Sequence, residues 1–300
     1  TEINAGLDVV EEKKAVAKTY LRAGYGKIHF ACDFGPTQFP AVRKAIAYCV
    51  DRDEFAKQYS GGYAKVVDGL YGLSLWEFEE NKDELSKKLN HYSYSIEKAK
   101  EILTADGWNL DKNGGKYVSG LRYKKVDGKL MPLEINWANS PNNPVSDLIS
   151  TMLPDAMLKA GMKLNPTTLE WGVLLNNIYR QGIEKPEYHM YNLATGFVPI
   201  PSYWYEYSSE QKYMGNYNDH FIKDKELEKI TAEMKLIPSN DKNAWAKKWV
   251  ELQIRWNEVM PSIPLYSDEY HDFFIPQLKN YEPDGLWTWE EAIIYAKLEG

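Results

Sequence analysis

Residues 132–197 predict an α/β fold built on a mainly parallel sheet. Three observations carry this. PLEINWA, KLNPTTLEW and EYHMYNLATGF each read as a strand. Helical stretches, NPVSDLISTMLPDAMLKAG and GVLLNNIYRQG, separate them. Strand, helix, strand, helix, strand is the order that right-handed crossovers turn into parallel neighbours. A chain of 300 residues can hold one or two lobes around a substantial core.

The elements follow in order. EEKKAVAKTYL is helix-like, and the strand-like KIHFACDF comes after Gly24 and Gly26. GYGKIHF is too poor in glycine for a dinucleotide fingerprint, and no strand leads into it. In AVRKAIAYCVDRDEF, Val42, Ala45, Ile46, Cys49 and Val50 recur at the spacing of one helical face. Asp51 then interrupts the pattern. With Glu54 three residues on, it has the capping-box arrangement for a second helix. GGYAKVVDGLYG is a glycine-punctuated loop, and EFEENKDELSKKLN reads as solvated surface. SIEKAKEILTADGW is a helix with Ser95 as N-cap and Gly107 at its left-handed end.

Asn113-Gly114 and Asp127-Gly128 mark turns in a small antiparallel meander. Asp111 and Asn113 resemble the start of a calcium loop, but the bidentate acid is missing and a plain turn is the expected structure. The next helix should kink near Pro154 and end at Gly161. Two more helices, DKELEKITAEMKLI and NAWAKKWVELQIRWNEVM, precede the extended PSIPLYSDEYHDFFI. In the second, Trp245, Trp249, Leu252, Trp256 and Val259 share a face and should pack.

Composition removes several functions. With 43 acidic and 36 basic side chains the formal charge is -7, and no basic stripe exists to track phosphates, so no nucleic-acid partner is expected. No window is apolar enough to cross a bilayer. Cys32 and Cys49 make neither a disulfide framework nor a metal spacing, and Cys49 lies on the apolar helical face as an inert thiol. His29, His91, His189, His220 and His271 are scattered, and HExxH, GxSxG, Walker and CxxC motifs are absent. No cofactor, no metal and no catalysis are expected. Aromatics reach 14%, with 22 Tyr and 10 Trp, which suits a core and a ligand cleft alike.

Four blocks in a fixed order then carry a resemblance. VRKAIAYCVDRDEFAKQYSGGYA resembles the helix pair that opens the large lobe of bacterial extracellular solute-binding proteins, family 5. This is the peptide and nickel class that feeds ABC importers. YSIEKAKEILTADGW is similar to that family's helix ending in Gly-Trp, NYNDHFIKDKELEKI to its block before the next helix, and MPSIPLYSDEYHDFFIPQLKNYEPD to its return strand. The likeness runs from about residue 24 to the end.

It implies a periplasmic-binding-protein-like type II large lobe with part of the hinge-linked first lobe. Residues 1–30 would be a remnant of the first lobe and hinge, 31–265 the large ligand-binding lobe, and 266–300 the return segment to the first lobe. The family's helix pair lies near the middle of longer chains, so a C-terminal portion is expected, without signal peptide, lipid-attachment cysteine or most of the first lobe. The two end segments should pair and leave sheet edges and half a cleft open to association.

Function follows from the same resemblance. Two lobes close on a small solute, a peptide or an oligosaccharide, and ABC transporter permease subunits receive the closed complex. The place implied is extracytoplasmic in a bacterium, as a cell-surface lipoprotein or a periplasmic protein. NLATGFVPIPSYWYEY leaves the third strand at its carboxyl end, where clefts form. Peptide-binding relatives place an acid near Gly196, Phe197 and Val198 for the ligand's amino terminus. None stands here, which favours an aromatic wall.

Arg180 matches an arginine that relatives hold near the ligand or that acid, where it could clamp a carboxylate; otherwise it is a surface arginine after a helix. Trp137 and Asn139 at the first strand's end, Trp171 past the second, Phe197, Tyr203 and Trp204 complete the candidate site. The alternative is a carbohydrate-active enzyme, a glycoside hydrolase with a carboxylate pair in the aromatic cleft. A sensory receptor on the same lobes is a third reading.

Overall fold

The structure, a computed structural model, describes residues 2–199 and 201–299. α1 (Glu2–Glu11) ends just before Lys13, which adopts a left-handed φ of 58°. β1 (Val16–Leu21) and β2 (Gly24–Phe30) follow. This corrects the helix expected over EEKKAVAKTYL, whose second half is extended. Val16, Thr19 and Tyr20 suit a pleated surface, and a partner strand is available to them along their whole length.

α2 (Pro40–Cys49) has proline in its first turn, where a missing N–H is harmless, and buries Val42, Ala45, Ile46 and Cys49 as their spacing predicts. Burial pushes the Cys49 thiol up to about 12. Asp51 caps α3 (Arg52–Ser60), its Oδ1 accepting from Glu54 N at 3.1 Å. The reciprocal half of the capping box does not form, because the Glu54 carboxylate accepts instead from Gln58 Nε2 at 2.7 Å. Asp51→Ala is expected to cost about 1 kcal/mol, read as a lower urea midpoint at unchanged slope.

β3 (Ala64–Lys65) interrupts the glycine-rich loop. α4 (Trp76–Lys88) is not the wholly solvated run expected: Leu85 is buried, and buried Glu77 accepts from Trp245 Nε1 at 3.0 Å. α5 (Ile96–Ala105) begins at Ser95, which accepts from Lys98 N. β4 (Tyr123–Val126) and β5 (Lys129–Pro132) make a hairpin. Its turn residues Asp127 and Gly128 both have positive φ, 48° and 80°, the geometry that matches strand twist.

The α/β unit is β6 (Glu134–Asn139), α6 (Pro144–Ala160), β7 (Lys163–Thr168), α7 (Trp171–Tyr179) and β8 (Met190–Gly196). α6 runs through Pro154 and stops at Gly161, whose φ is 91°. Then come α8 (Tyr203–Tyr207), α9 (Lys225–Lys235), α10 (Lys242–Val259), β9 (Ser262–Phe274), β10 (Leu278–Lys279), α11 (Trp289–Tyr295) and β11 (Lys297–Leu298).

Seven strands form the main sheet in the order β1-β9-β2-β8-β6-β7, with β3 added to β9. Among the described residues only β6 with β7 and β6 with β8 are parallel; the other pairings are antiparallel, so the sheet is mixed rather than mainly parallel. The crossovers dictate the direction of just the three strands they join. β2 and β9 enter from segments outside that unit, where nothing forces them to run alongside. β9 is long enough to serve twice: Ser262–Tyr266 pairs with β2, and Glu269–Phe274 pairs with β1.

Trp137 and Ala138 are neighbours in β6 and so point to opposite faces. Trp137 belongs to the main core, with α2, α5 and α6. Ala138 joins a smaller cluster with Leu174 and Ile178 of α7 and Tyr191. Helices therefore cover both faces of this part of the sheet. In α10, Trp249 and Trp256 are fully buried, and their indole N–H groups donate to Tyr203 and Tyr207 hydroxyls at 3.2 and 2.9 Å. Those tryptophans pack, as their spacing predicts.

Candidate ligand-binding site

The carboxyl ends of β6 and β7 set Asn139 and Thr168 side by side, and β8, which is level with them near its own start, runs on past them to Gly196. Asn139 is buried, and its Oδ1 accepts from Thr168 Oγ1 at 2.9 Å, which ties two strand ends together. The following loop enters α6 through Asn143, whose side chain accepts from Val145 N and Ser146 N. Trp171 opens α7 at this same edge and is 52% exposed, a large apolar surface with no partner.

Phe197 leaves β8 with its N–H on Ala23 O at 2.6 Å and its ring 6.0 Å from that of Tyr25. The chain crosses tightly here: a Cβ on Gly24 would meet Thr195 O at 2.1 Å, and one on Gly72 would meet Gly24 N at 2.2 Å. Arg22 donates to Asp268 at 3.1 Å across the crossing, while Ser267 Oγ donates to Gly24 O at 2.7 Å.

Past Phe197 the chain borders a pocket of about 410 Å³ between α4, α8, α9 and α10. Its walls include Trp76, Pro201, Trp204, Met234 and Trp245, and Lys235 and Lys242 belong to its lining. The Lys242 ammonium sits 4.2 Å from the Trp76 ring and the Lys235 ammonium 5.9 Å from the Trp204 ring. Tyr203 is buried at the base, its ring 6.5 Å from Trp245.

The predicted residues therefore divide. Trp171, Asn139 and Phe197 belong to the strand-end edge, and Tyr203 and Trp204 to the adjoining pocket. Trp137 has no exposed surface; its indole N–H points at Asn192 Oδ1, 3.3 Å away, so the ring supports the edge from behind. Arg180 lies at the opposite pole, because α7 runs back against the strands and ends where they begin. There its guanidinium grips the Asp33 carboxylate and lies 3.5 Å from the Phe221 ring.

Sequence reasoning missed Trp76, hidden beside a charged run, and placed Trp245 with the packing residues although it lines the pocket. The helical period of α10 put Trp245 on the same stripe as Trp249, and it does pack against the core, but from the first turn, where its other side faces the pocket. A buried acid in that charged run, Glu77, had no sequence signal at all.

The strand-end edge is open, and an aromatic recess lies beside it. The sequence profile of bacterial extracellular solute-binding proteins, family 5 Middle, matches residues 4–215, and the chain belongs to this family. Three solved structures share the fold. The oligopeptide-binding protein AppA from Bacillus subtilis, in complex with a nonapeptide, is 19% identical with a TM-score of 0.78 over 99% of this chain and 55% of its own. NikZ from Campylobacter jejuni, with Ni(L-His), is 18% identical, TM-score 0.71, covering 96% and 54%. DppA from Helicobacter pylori, with the peptide STSA, is 16% identical, TM-score 0.71, covering 98% and 52%. The chain thus spans about half the length of these structures. No curated protein matches it.

Proposed function

We propose that the chain is the larger binding lobe of a solute receptor serving an ABC importer, and that it captures an oligopeptide or related small solute against a second lobe without chemistry. The observation that carries this is the half-open aromatic mouth: exposed Trp171 and half-buried Phe197 at the strand ends, with the Trp76, Trp204 and Trp245 recess alongside. Two of the solved relatives named above are in complex with peptides. Nothing in the comparisons supports a glycoside hydrolase or an oligosaccharide ligand.

In this reading residues 31–265 are the binding lobe, while 1–30 and 266–300 belong with the first lobe. β9 supports it by running on past its pairing with β2 to pair with β1, and α11 by exposing Trp289, Ile294 and Tyr295, an apolar surface that a first lobe would cover. The permease subunits and the extracytoplasmic location go with the family, and among the described residues no helix is long and apolar enough to cross a membrane.

Closure couples the two lobes, so this chain alone should bind weakly and a complete receptor tightly. The test is thermal shift and tryptophan fluorescence against peptide and oligosaccharide panels, because a ligand selective for the folded state must raise its melting temperature. Stabilisation by sugars and not by peptides, or turnover of any substrate, overturns the proposal. Trp171→Ala and Trp204→Ala should each weaken peptide binding by about 1 kcal/mol, roughly fivefold. Arg180→Ala should leave it unchanged, since Asp33 already occupies that guanidinium.

A further inference from the structure

Far from the mouth, β2 carries His29 on the face that meets the 216–221 loop, and that loop brings Asp219 and His220 against it. The two imidazole rings stack with centroids 3.9 Å apart and planes at 20°. Both histidines are buried, His29 at 0% and His220 at 5% exposure. The loop is held in place by Asn218, whose amide donates to Ser208 O and Ile222 O and whose Oδ1 accepts from Ile222 N.

Hydrogen bonding fixes which ring nitrogens are free. His29 Nε2 lies 3.2 Å from Asp219 O, and His220 Nδ1 lies 3.1 Å from Phe30 O. A carbonyl oxygen only accepts, so both of these nitrogens carry protons. In neutral rings that leaves lone pairs on His29 Nδ1 and His220 Nε2. His29 Nδ1 is buried with no hydrogen-bond partner. His220 Nε2 faces another acceptor, Asp219 Oδ1, at 3.9 Å. A buried imidazole nitrogen without a donor thus stands in a stacked histidine pair beside a carboxylate, an arrangement that costs free energy unless a cation or a donor satisfies it. A backbone carbonyl on the second ring nitrogen is also how metal-binding histidines are oriented.

We propose that His29, Asp219 and His220 form a site for a first-row divalent transition metal ion, zinc in the first instance, which would clamp β2 to the 216–221 loop. A ring nitrogen of each histidine and a carboxylate oxygen of Asp219 lie within 4.8 Å of one another. Bonds of about 2.0–2.2 Å put neighbouring donors of a tetrahedral ion roughly 3.3 Å apart, so closing the site takes a side-chain adjustment of up to about 1.5 Å and a tilt that opens the stacked rings toward the ion. Asp219 can move, because its side chain is 24% exposed, and the same exposure gives an ion its way in and a water the fourth position. Two imidazoles and one carboxylate suit zinc, cobalt or nickel over magnesium or calcium. Of the charges that bear on the pair, Asp219 favours a cation, whereas Lys27 and Arg43 oppose it. Lys27 alternates with His29 on the same face of β2 and is buried.

The test is titration of chelator-stripped protein with Zn2+, in competition with a chromophoric chelator, and with Co2+, whose visible absorption reports nitrogen and oxygen ligation. One ion per chain is expected, together with a higher melting temperature. Asp219→Ala and His220→Asn should each weaken binding at least about tenfold. Lys27→Met, which removes a repelling charge, should tighten it. Circular dichroism of the metal-free variants separates lost ligation from lost folding. The proposal is overturned if no stoichiometric ion binds, if folded Asp219→Ala binds like the parent, or if Lys27→Met weakens the ion.

Discussion

Replacing Arg43 with methionine is expected to cost the fold about 3 kcal/mol or more, one of the two largest effects that a single side chain here should produce. Arg43 sits in α2, is 1% exposed, and spends all three guanidinium nitrogens on backbone carbonyls. Nε donates to Met260 O at 2.8 Å, one terminal nitrogen to Thr37 O at 2.6 Å, and the other to Val259 O at 2.6 Å. Val259 and Met260 end α10, so their carbonyls have no partner within the helix, and a cation there also meets the negative end of the helix dipole.

One side chain therefore joins α2 to the end of α10, more than 200 residues away. Burial lowers the arginine's pKa without neutralising it. Methionine would fill much of the volume but leave three buried acceptors bare, each a cost of about 1–3 kcal/mol, against which regaining the charge's hydration offsets a part. Arg43→Lys should restore under half of the loss, since an ammonium on a flexible stem cannot reproduce a planar fork. Urea unfolding measures both. Equal midpoints for parent and Arg43→Met would refute this account of the junction.

That junction also shows what a sequence can reveal. The apolar period of Val42, Ala45, Ile46 and Cys49 located α2, and Asp51 located the start of α3, because both signals lie within a few residues of what they determine. The strand-helix order of residues 132–197 was readable for the same reason, as was the hairpin turn at Asp127-Gly128. Arg43 was not. It breaks no pattern on its helix, and its three acceptors come from positions 37, 259 and 260.

β1 was misread because its partner lies some 250 residues away in β9, and cross-strand pairing outweighed the helical tendency of a lysine-rich stretch. The candidate site divides on the same principle. Trp171 follows a strand end, so local order placed it; Arg180 follows a helix that runs the other way, and only the direction of that helix tells which pole it reaches. His29 and the Asp219-His220 pair are separated by 190 residues, with no spacing rule to connect them.

Acid should unfold the chain earlier than its carboxylates alone would require, and His189 carries a separable part of that. It stands at the start of β8, 9% exposed, with its Nδ1 accepting from Asn136 N at 3.0 Å while its own backbone N–H donates to Asn136 O at 2.9 Å. The ring thus stitches the start of β8 to β6 through a lone pair, and protonation would destroy that bond and leave a charge in a nearly dry site. Burial accordingly lowers its pKa from 6.5 to about 4.

The sign follows directly. Between those values the unfolded chain binds a proton that the folded chain refuses, so stability is intact above about pH 6.5, falls as the pH drops toward 4, and levels off below. At 1.36 kcal/mol per unit, the shift is worth about 3 kcal/mol, a large fraction of the roughly 5–15 kcal/mol that holds an ordinary domain. Burial lowers His29 and His220 too, with the same sign. Glu206, whose carboxyl desolvation by its neighbours pushes up to about 7, acts the opposite way; the residue keeps exposed surface, so water screens most of that effect.

Comparison with His189→Gln cancels these shared contributions. Glutamine can accept from Asn136 N through its amide oxygen and does not titrate. With chelator present, urea unfolding of both proteins at intervals from pH 7 to 4 should give curves that converge or cross, the variant losing about 3 kcal/mol less than the parent over that range. Parallel curves would mean that His189 takes up its proton in the folded state at the ordinary pH, and that the bond from Asn136 contributes nothing to holding β8 against β6.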